Sequence, residues 1–317
     1  MRIKCIFIFS LLLCLGFTKA DAMPDTQEIA DGGGYTGHTE YLPKGDFEHW
    51  TSEIIHESKI LGGKTVNLLH PGAPWGSSNV WAKISGVTKT NVSVYRDNHP
   101  GHGHCIKLYT HIVEAKVLGI INIKVLAAGS IFLGKTIQPI RDTKKPMAKI
   151  EAGIPFRKRP KAIIFDYKTH IVPGDRIYQN GITKGSKVHG QDKADCVLFL
   201  QKRWEDAKGN IYAKRVGTMV QEFSRSCDWK NNATFNIHYG DISHTKFYNS
   251  ASALTKGKTA KYARNSKGKM VPVTEVGWVD ADERPTHLVL QFTSSNGAAY
   301  EGSVGNTMWV DNVRMAY

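Results

Sequence analysis

The chain has 317 residues, with 42 Lys and Arg against 28 Asp and Glu, giving a formal net charge of +14. A hydrophobic share of 41% with 10% aromatics is enough for a packed core and excludes disorder over the whole chain, and 30 Gly and 12 Pro without a three-residue period exclude collagen. Excess Lys and Arg is the usual electrostatic footprint of a phosphate-binding surface, so the charge first suggests nucleic acid.

Arg2 and Lys4 precede an apolar run from Cys5 to Phe17, and Ala20-Asp21-Ala22 follow it. A short basic region, an apolar core of roughly 7–15 residues and a small-x-small exit predict a secretory signal peptide over residues 1–22, cleaved after Ala22. The run is too short for a membrane span, which needs about 20 residues. The alternatives are a buried N-terminal helix and a lipoprotein signal at Cys14, although Leu12-Leu13 are larger than the residues lipidation prefers there. Export places the chain in the periplasm or at the outer surface and makes nucleic acid an unexpected partner. The mature chain stays strongly basic and keeps Cys105, Cys196 and Cys227. Three cysteines allow at most one disulfide; a Cys196–Cys227 bridge is one reading, and small buried hydrophobes the other.

Residues 23–44 are polar and glycine-rich, with Asp31-Gly32-Gly33-Gly34, and read as a flexible linker. Beyond them the apolar pattern has period two, the signal of half-buried strands. In Cys105–Ile112, the residues Ile106, Leu108 and Ile112 share one face, and Lys107, Tyr109 and His111 the other. Strands are also expected over Lys161–Tyr167, Ala194–Gln201 and Thr286–Phe292, with one buried strand over Val117–Leu126. Turn signals separate these runs at Pro71-Gly72, His99-Pro100-Gly101, Val172-Pro173-Gly174, Lys208-Gly209-Asn210 and Ser295-Asn296-Gly297. Thr255–Lys269 holds six basic residues and no acid and reads as a solvated loop, with anion binding as the alternative. Many short strands punctuated by Gly and Pro predict an all-β fold, a jelly-roll-like β-sandwich in one domain over residues 45–317.

A set of motifs runs through that domain. It comprises Gly45-Asp46-Phe47-Glu48-His49-Trp50, Trp75-Gly76-Ser77-Ser78-Asn79, Gly101-His102-Gly103, the stretches Ala128–Lys135 and Gly153–Pro160, and Phe165-Asp166-Tyr167-Lys168. Asp192-Lys193-Ala194-Asp195, Arg284–Ser295, Gly302-Ser303-Val304-Gly305 and Trp309-Val310-Asp311-Asn312-Val313 complete it. Together they resemble the PCMD (putative carbohydrate metabolism domain) family of exported Bacteroidetes proteins. The resemblance implies a β-sandwich similar to carbohydrate-binding modules and a glycan-related role in the periplasm or at the cell surface. A glycoside hydrolase label also attaches to the family. Many members carry a lipoprotein signal, a pattern from which this chain departs.

Sugar rings are recognised by aromatic faces flanked by polar groups. Trp75, Trp204 and Trp229 have loop-type neighbours and are the candidate glycan contacts. Trp309 opens the closing strand, where Met308, Val310 and Val313 compete for the interior. Hydrolysis needs two carboxylates on one face of neighbouring strands, and the strand-borne candidates are Asp166, Asp195, Glu222 and Glu301. A zinc reading of His102, His104 and Cys105 lacks further ligands at defined spacing, and the glycines around them also suit a tight loop. A structural Ca²⁺ held by Asp311 and Glu48 is a better metal candidate, and no cofactor is required. The expected function is carbohydrate binding in polysaccharide capture, with a glycoside hydrolase or lyase, or a surface adhesin, as alternatives. The expected partner is a polysaccharide or oligosaccharide bound by a monomer without a transmembrane span, and the basic charge points to anionic glycans.

Overall fold

The alternation becomes strands at these predicted runs: Ala194–Gln201 falls in Ala194–Glu205, while Lys161–Tyr167 and Thr286–Phe292 overlap Ala162–His170 and His287–Thr293, each of which starts one residue later than the run. A computed structural model describes residues 35–117, 121–142 and 146–317, so the signal peptide and residues 23–34 of the linker lie outside the described residues. The only helices among the described residues are short 3-10 turns, and none is long and apolar enough to cross a membrane. The fold is all-β, built from several mainly antiparallel sheets.

The first large sheet has six strands, β1 (Thr39–Tyr41), β2 (Val94–His99), β3 (Gly103–Tyr109), β4 (Ala162–His170), β5 (Cys227–Asn236) and β6 (Thr307–Ala316). They lie in the order β5-β4-β6-β3-β2, with β1 added to the far end of β6. Thr39–Tyr41, counted with the linker from composition, therefore form an ordered strand. Ile163, Phe165 and Tyr167 of β4 and Met308, Val310, Val313 and Met315 of β6 point into the core. The competition along the closing strand thus resolves with Met308, Val310 and Val313 inside and Trp309 on the outer face.

The second large sheet has ten strands. Along Ala194–Glu205, Cys196, Leu198 and Leu200 face the first sheet and share its core, where Phe165 meets Phe292 edge-on at 5.0 Å. Strand Ser130–Thr136 pairs with Ile150–Ala152, with Trp75–Ser77 and also with His287–Thr293, so the sheet closes on itself as a ring. Residues facing away from the first sheet are consequently buried inside that ring: Val197 and Phe199 pack with Val289, and Arg215 is fully buried. Burial on both faces explains why Ala194–Gln201 reads as a nearly continuous apolar run.

Further expectations change. Val117–Leu126 is two strands rather than one, since Ile121–Ala127 pairs back antiparallel on His111–Val117; residues 118–120 lie outside the described residues. The basic stretch Thr255–Lys269 contains a strand, Lys261–Arg264, whose Lys261 is buried inside the ring, while Lys256, Lys258, Arg264, Lys267 and Lys269 are exposed. Cys105, Cys196 and Cys227 are all free thiols, and Cys196 is fully buried in the shared core.

Candidate functional site

Four residues singled out in the sequence, Glu48 and Asp311 as a calcium pair, Asp166 as an acid and Trp229 as a sugar contact, converge at the outer face of the first sheet. The hairpin turn between β2 and β3 brings them a histidine, His99, which ends β2. Its ring lies between Trp229, 3.7 Å away on one side, and His102, 4.2 Å away on the other, both nearly parallel to it. His99 Nδ1 is 2.8 Å from Asp311 Oδ2, and Nε2 is 3.2 Å from Asn231 Oδ1. Asp166 approaches the same Nδ1 at 4.0 Å.

Local backbone irregularities create this convergence. β4 shifts register between Ile164 and Asp166 against β6, a bulge that re-aims the Asp166 side chain. Asn232 and Asn312, both at positive φ, then close on it: Asn232 N donates to Asp166 Oδ1 at 2.6 Å, and Asn312 Nδ2 donates to Asp166 Oδ2 at 2.8 Å and to Asp311 Oδ2 at 3.2 Å. The two carboxylates therefore share one donor. Burial, with the charges of Asp166 and Glu48, pushes the Asp311 carboxyl up to about 8, while burial pulls His99 below its usual range. Glu48 sits under the turn, accepting from His104 N at 2.7 Å. Gly103, at φ 90°, makes room for it, since a Cβ there would fall 2.1 Å from Glu48 Oε1.

Beside this cluster a polar and aromatic row crosses the outer face. Tyr95 on β2 opposes Lys107 on β3, Lys107 opposes Trp309 on β6, and Trp309 opposes Lys168 on β4. The Lys107 and Lys168 ammonium groups lie 5.4 and 5.7 Å from the centre of the partly exposed Trp309 ring. Trp309 Nε1 donates to Asp97 at 2.9 Å, and Lys168 pairs with the exposed Asp228 at 2.9 Å.

The remaining candidates lie elsewhere. Asp195 and Glu222 are direct cross-strand partners in the second sheet, the one-face arrangement a carboxylate pair requires. Asp195 is buried, and desolvation together with the Glu222 charge drives it well above the usual carboxylate range. Glu222 accepts from Lys193 Nζ at 2.6 Å and Asn296 Nδ2 at 2.9 Å. Lys261 reaches Gln291 Oε1 at 3.3 Å nearby, its ammonium brought down to about 7 by burial. Glu301 forms an ion pair with Arg176 at 2.8 Å. Trp204 is exposed and stacks on Tyr212 in the second sheet.

Trp75 is a correction. It is a core residue, packed edge-on against Phe47, with Nε1 donating to the Pro43 carbonyl at 2.9 Å, so it has no free face for a sugar. The Gly76 beside it, which suggested a loop, instead lets Phe132 close in: a Cβ there would lie 2.6 Å from that ring. His99, Asn231 and Asn312 escaped the sequence reading. His99 was visible only as part of the His99-Pro100-Gly101 turn signal.

The chain is a carbohydrate-related domain by its family: a family model described as "Putative carbohydrate metabolism domain" matches residues 46–316. The chain belongs to that family, PCMD. No curated protein matches it. Among solved structures it is similar to one described as a putative glycoside hydrolase from Bacteroides thetaiotaomicron, with 19% identity and a TM-score of 0.45 over 83% of this chain and 70% of that one. Another, described as a putative glycoside hydrolase from Bacteroides vulgatus, shares 13% identity with a TM-score of 0.44 over 86% of this chain and 96% of that one.

Proposed function

We propose that this is an exported carbohydrate-binding protein that takes part in polysaccharide capture and holds anionic glycans on the outer face of its first sheet. The observation that carries the reading is Trp309 set between Lys107 and Lys168 in one cross-strand row, with Trp229 nearby. An indole face offers the C–H surface of a sugar a stacking partner, and flanking ammonium groups suit uronate or sulfate substituents. The His99 ring beneath Trp229, tied to Asp311 and Asn231, fixes the indole before any ligand arrives, which reduces the ordering cost of binding. The fold supports a jelly-roll-like sandwich, because the chain passes repeatedly between the two large sheets: β2 and β3, then Ser130–Thr136, then β4, then Ala194–Glu205 and Ile211–Phe223, then β5, then His287–Thr293, then β6.

A second reading is favoured by a specific observation. Asp195 and Glu222 stand in register, burial driving the Asp195 carboxyl well above the usual carboxylate range while Glu222 accepts from Lys193 and Asn296, and two carboxyl groups in unlike surroundings are what glycoside hydrolysis uses. The two readings separate on one panel of acidic and neutral polysaccharides. Binding without turnover, abolished by Trp229→Ala with Trp309→Ala, supports capture; turnover lost in Glu222→Gln supports hydrolysis. Neither binding nor turnover leaves a surface interaction protein and refutes both.

A further inference from the structure

We propose that His99, His102 and Asp166, with Asp311 behind them, bind a divalent transition-metal ion such as zinc. One ligand atom from each of the first three lies within 4.8 Å of the others. The proposal stands independently of glycan binding.

Three observations carry it. The first is the state of the His99 ring. Asn231 turns Oδ1 towards His99 Nε2 at 3.2 Å and Nδ2 towards His102 Nε2 at 3.4 Å, an arrangement that suits a proton on His99 Nε2. Nδ1 then directs its lone pair at Asp311 Oδ2, 2.8 Å away, and towards Asp166 Oδ2 at 4.0 Å. A lone pair facing two buried carboxylates requires a cation between them, either a proton or a metal ion. The second is the surrounding shell: a metal-binding imidazole ordinarily gives its other N–H to a carbonyl or carboxylate, and binding carboxylates are themselves hydrogen-bonded. Asn231 fills the first role, and Asn232 N and Asn312 Nδ2 fill the second for Asp166.

The third is the donor set. Two imidazoles and one carboxylate, with Asp311 Oδ2 2.8 Å from His99 Nδ1 behind them, form a mixed nitrogen–oxygen set suited to zinc and its neighbours, whereas calcium takes six to eight oxygens. Bonds of about 2.1 Å cannot hold two ligand atoms much more than about 4 Å apart, and imidazole lone pairs lie in the ring plane, so His102, now stacked nearly parallel on His99 at 4.2 Å, must swing out of that stack to meet an ion at His99 Nδ1. His102, exposed on the β2–β3 turn, supplies that movement and an entry path. The missing ligands of the local histidine motif thus come from β4 and β6, far away in sequence.

The test is titration of the untagged, chelator-treated full chain with Zn²⁺ alone by calorimetry, with Co²⁺ visible absorption as a second readout and melting measured with Zn²⁺ or Ca²⁺. One equivalent of zinc is expected, with a rise in melting temperature. Affinity should fall by about tenfold or more in His102→Ala, whose exposed side chain can be removed without disturbing the fold. Asp166→Asn should weaken binding too, and His189→Ala, which alters an exposed histidine beside Asp175, should not. No zinc uptake would overturn the proposal and leave a proton between His99 and Asp311. Uptake unchanged in His102→Ala would overturn it as surface chelation. Stabilisation by calcium and not by zinc would overturn it in favour of an oxygen site.

Discussion

Replacing both Lys107 and Lys168 with alanine removes the two cations that flank Trp309 while leaving the ring in place. Their side chains are 34% and 37% exposed, and both pair with acids at the solvent edge, Asp97 at 3.9 Å and Asp228 at 2.9 Å. Such pairs contribute roughly 0–1 kcal/mol to stability, so the melting temperature should barely move. Towards a carboxylate or sulfate on a sugar, each lysine gains about 1 kcal/mol, near the aqueous limit for unit charges about 4 Å apart. Losing both therefore costs about 2 kcal/mol, or about 30-fold in affinity. The assay is calorimetry with a uronic-acid oligosaccharide at low and high salt, beside a neutral oligosaccharide of equal length. Wild-type affinity for the acidic sugar should weaken as salt rises, and the double variant should lose most of that dependence. Unchanged affinity with an unchanged salt response would refute the assignment of anion attraction to this face.

Inside the ring, Glu275 accepts from Arg215 Nε at 2.6 Å, Gln201 Nε2 at 2.7 Å and Thr255 N at 2.6 Å, with Arg215 stacked 3.5 Å from the centre of Phe199. Glu275→Gln leaves a buried guanidinium without its counter-charge and should cost about 3–5 kcal/mol in urea unfolding, whereas a loss below about 1 kcal/mol would contradict the account. Gly103→Ala should destabilise by about 1–3 kcal/mol through its positive φ and its clash with Glu48. Adding Glu48→Ala should recover part of that loss, and strict additivity would argue against the clash. Burial brings His111 and His287 down to about 4, His287 also through the charges of Arg203 and Arg157. An unfolded histidine titrates near 6.5, so the unfolded chain takes up protons first, and the stability of the neutral rings, complete above about pH 6.5, is lost as pH falls towards 4. Melting temperature should drop across that interval and drop less in the His111→Gln, His287→Gln double variant; a flat profile for the wild type would count against buried neutral rings.

The strands were legible because period-two alternation is local, and β4 and Ala194–Glu205 lie where it placed them. Closure of the second sheet was not, because it depends on Ser130–Phe132 meeting Gln291–Thr293, a pairing that no short window contains. The site was half legible. Glu48 and Asp311 stood out together as a calcium pair, Asp166 as an acid and Trp229 as a sugar contact, with nothing in the sequence to join the three readings. Their common ground is set by the β4 bulge and by two asparagines at positive φ, features of pairing rather than of composition. Trp75 misled for a related reason. Proline and glycine neighbours usually mark a loop, yet here the glycine exists to admit Phe132.

β6 comes last in chain order among the strands of its sheet and lies between β3 and β4. The ring likewise needs His287–Thr293 to join Ser130–Thr136 to Ala194–Glu205. During synthesis, then, neither sheet can be completed from its early strands alone, and the apolar faces of β3, β4 and Ser130–Thr136 wait uncovered until late residues arrive. Folding is correspondingly dominated by pairings distant in sequence, the slow regime for β-proteins. A product stopped short of β6 would lack a central strand rather than a dispensable edge and would present two unpaired edges to its neighbours. The last strand in chain order is thus also the one that joins the two halves of its sheet.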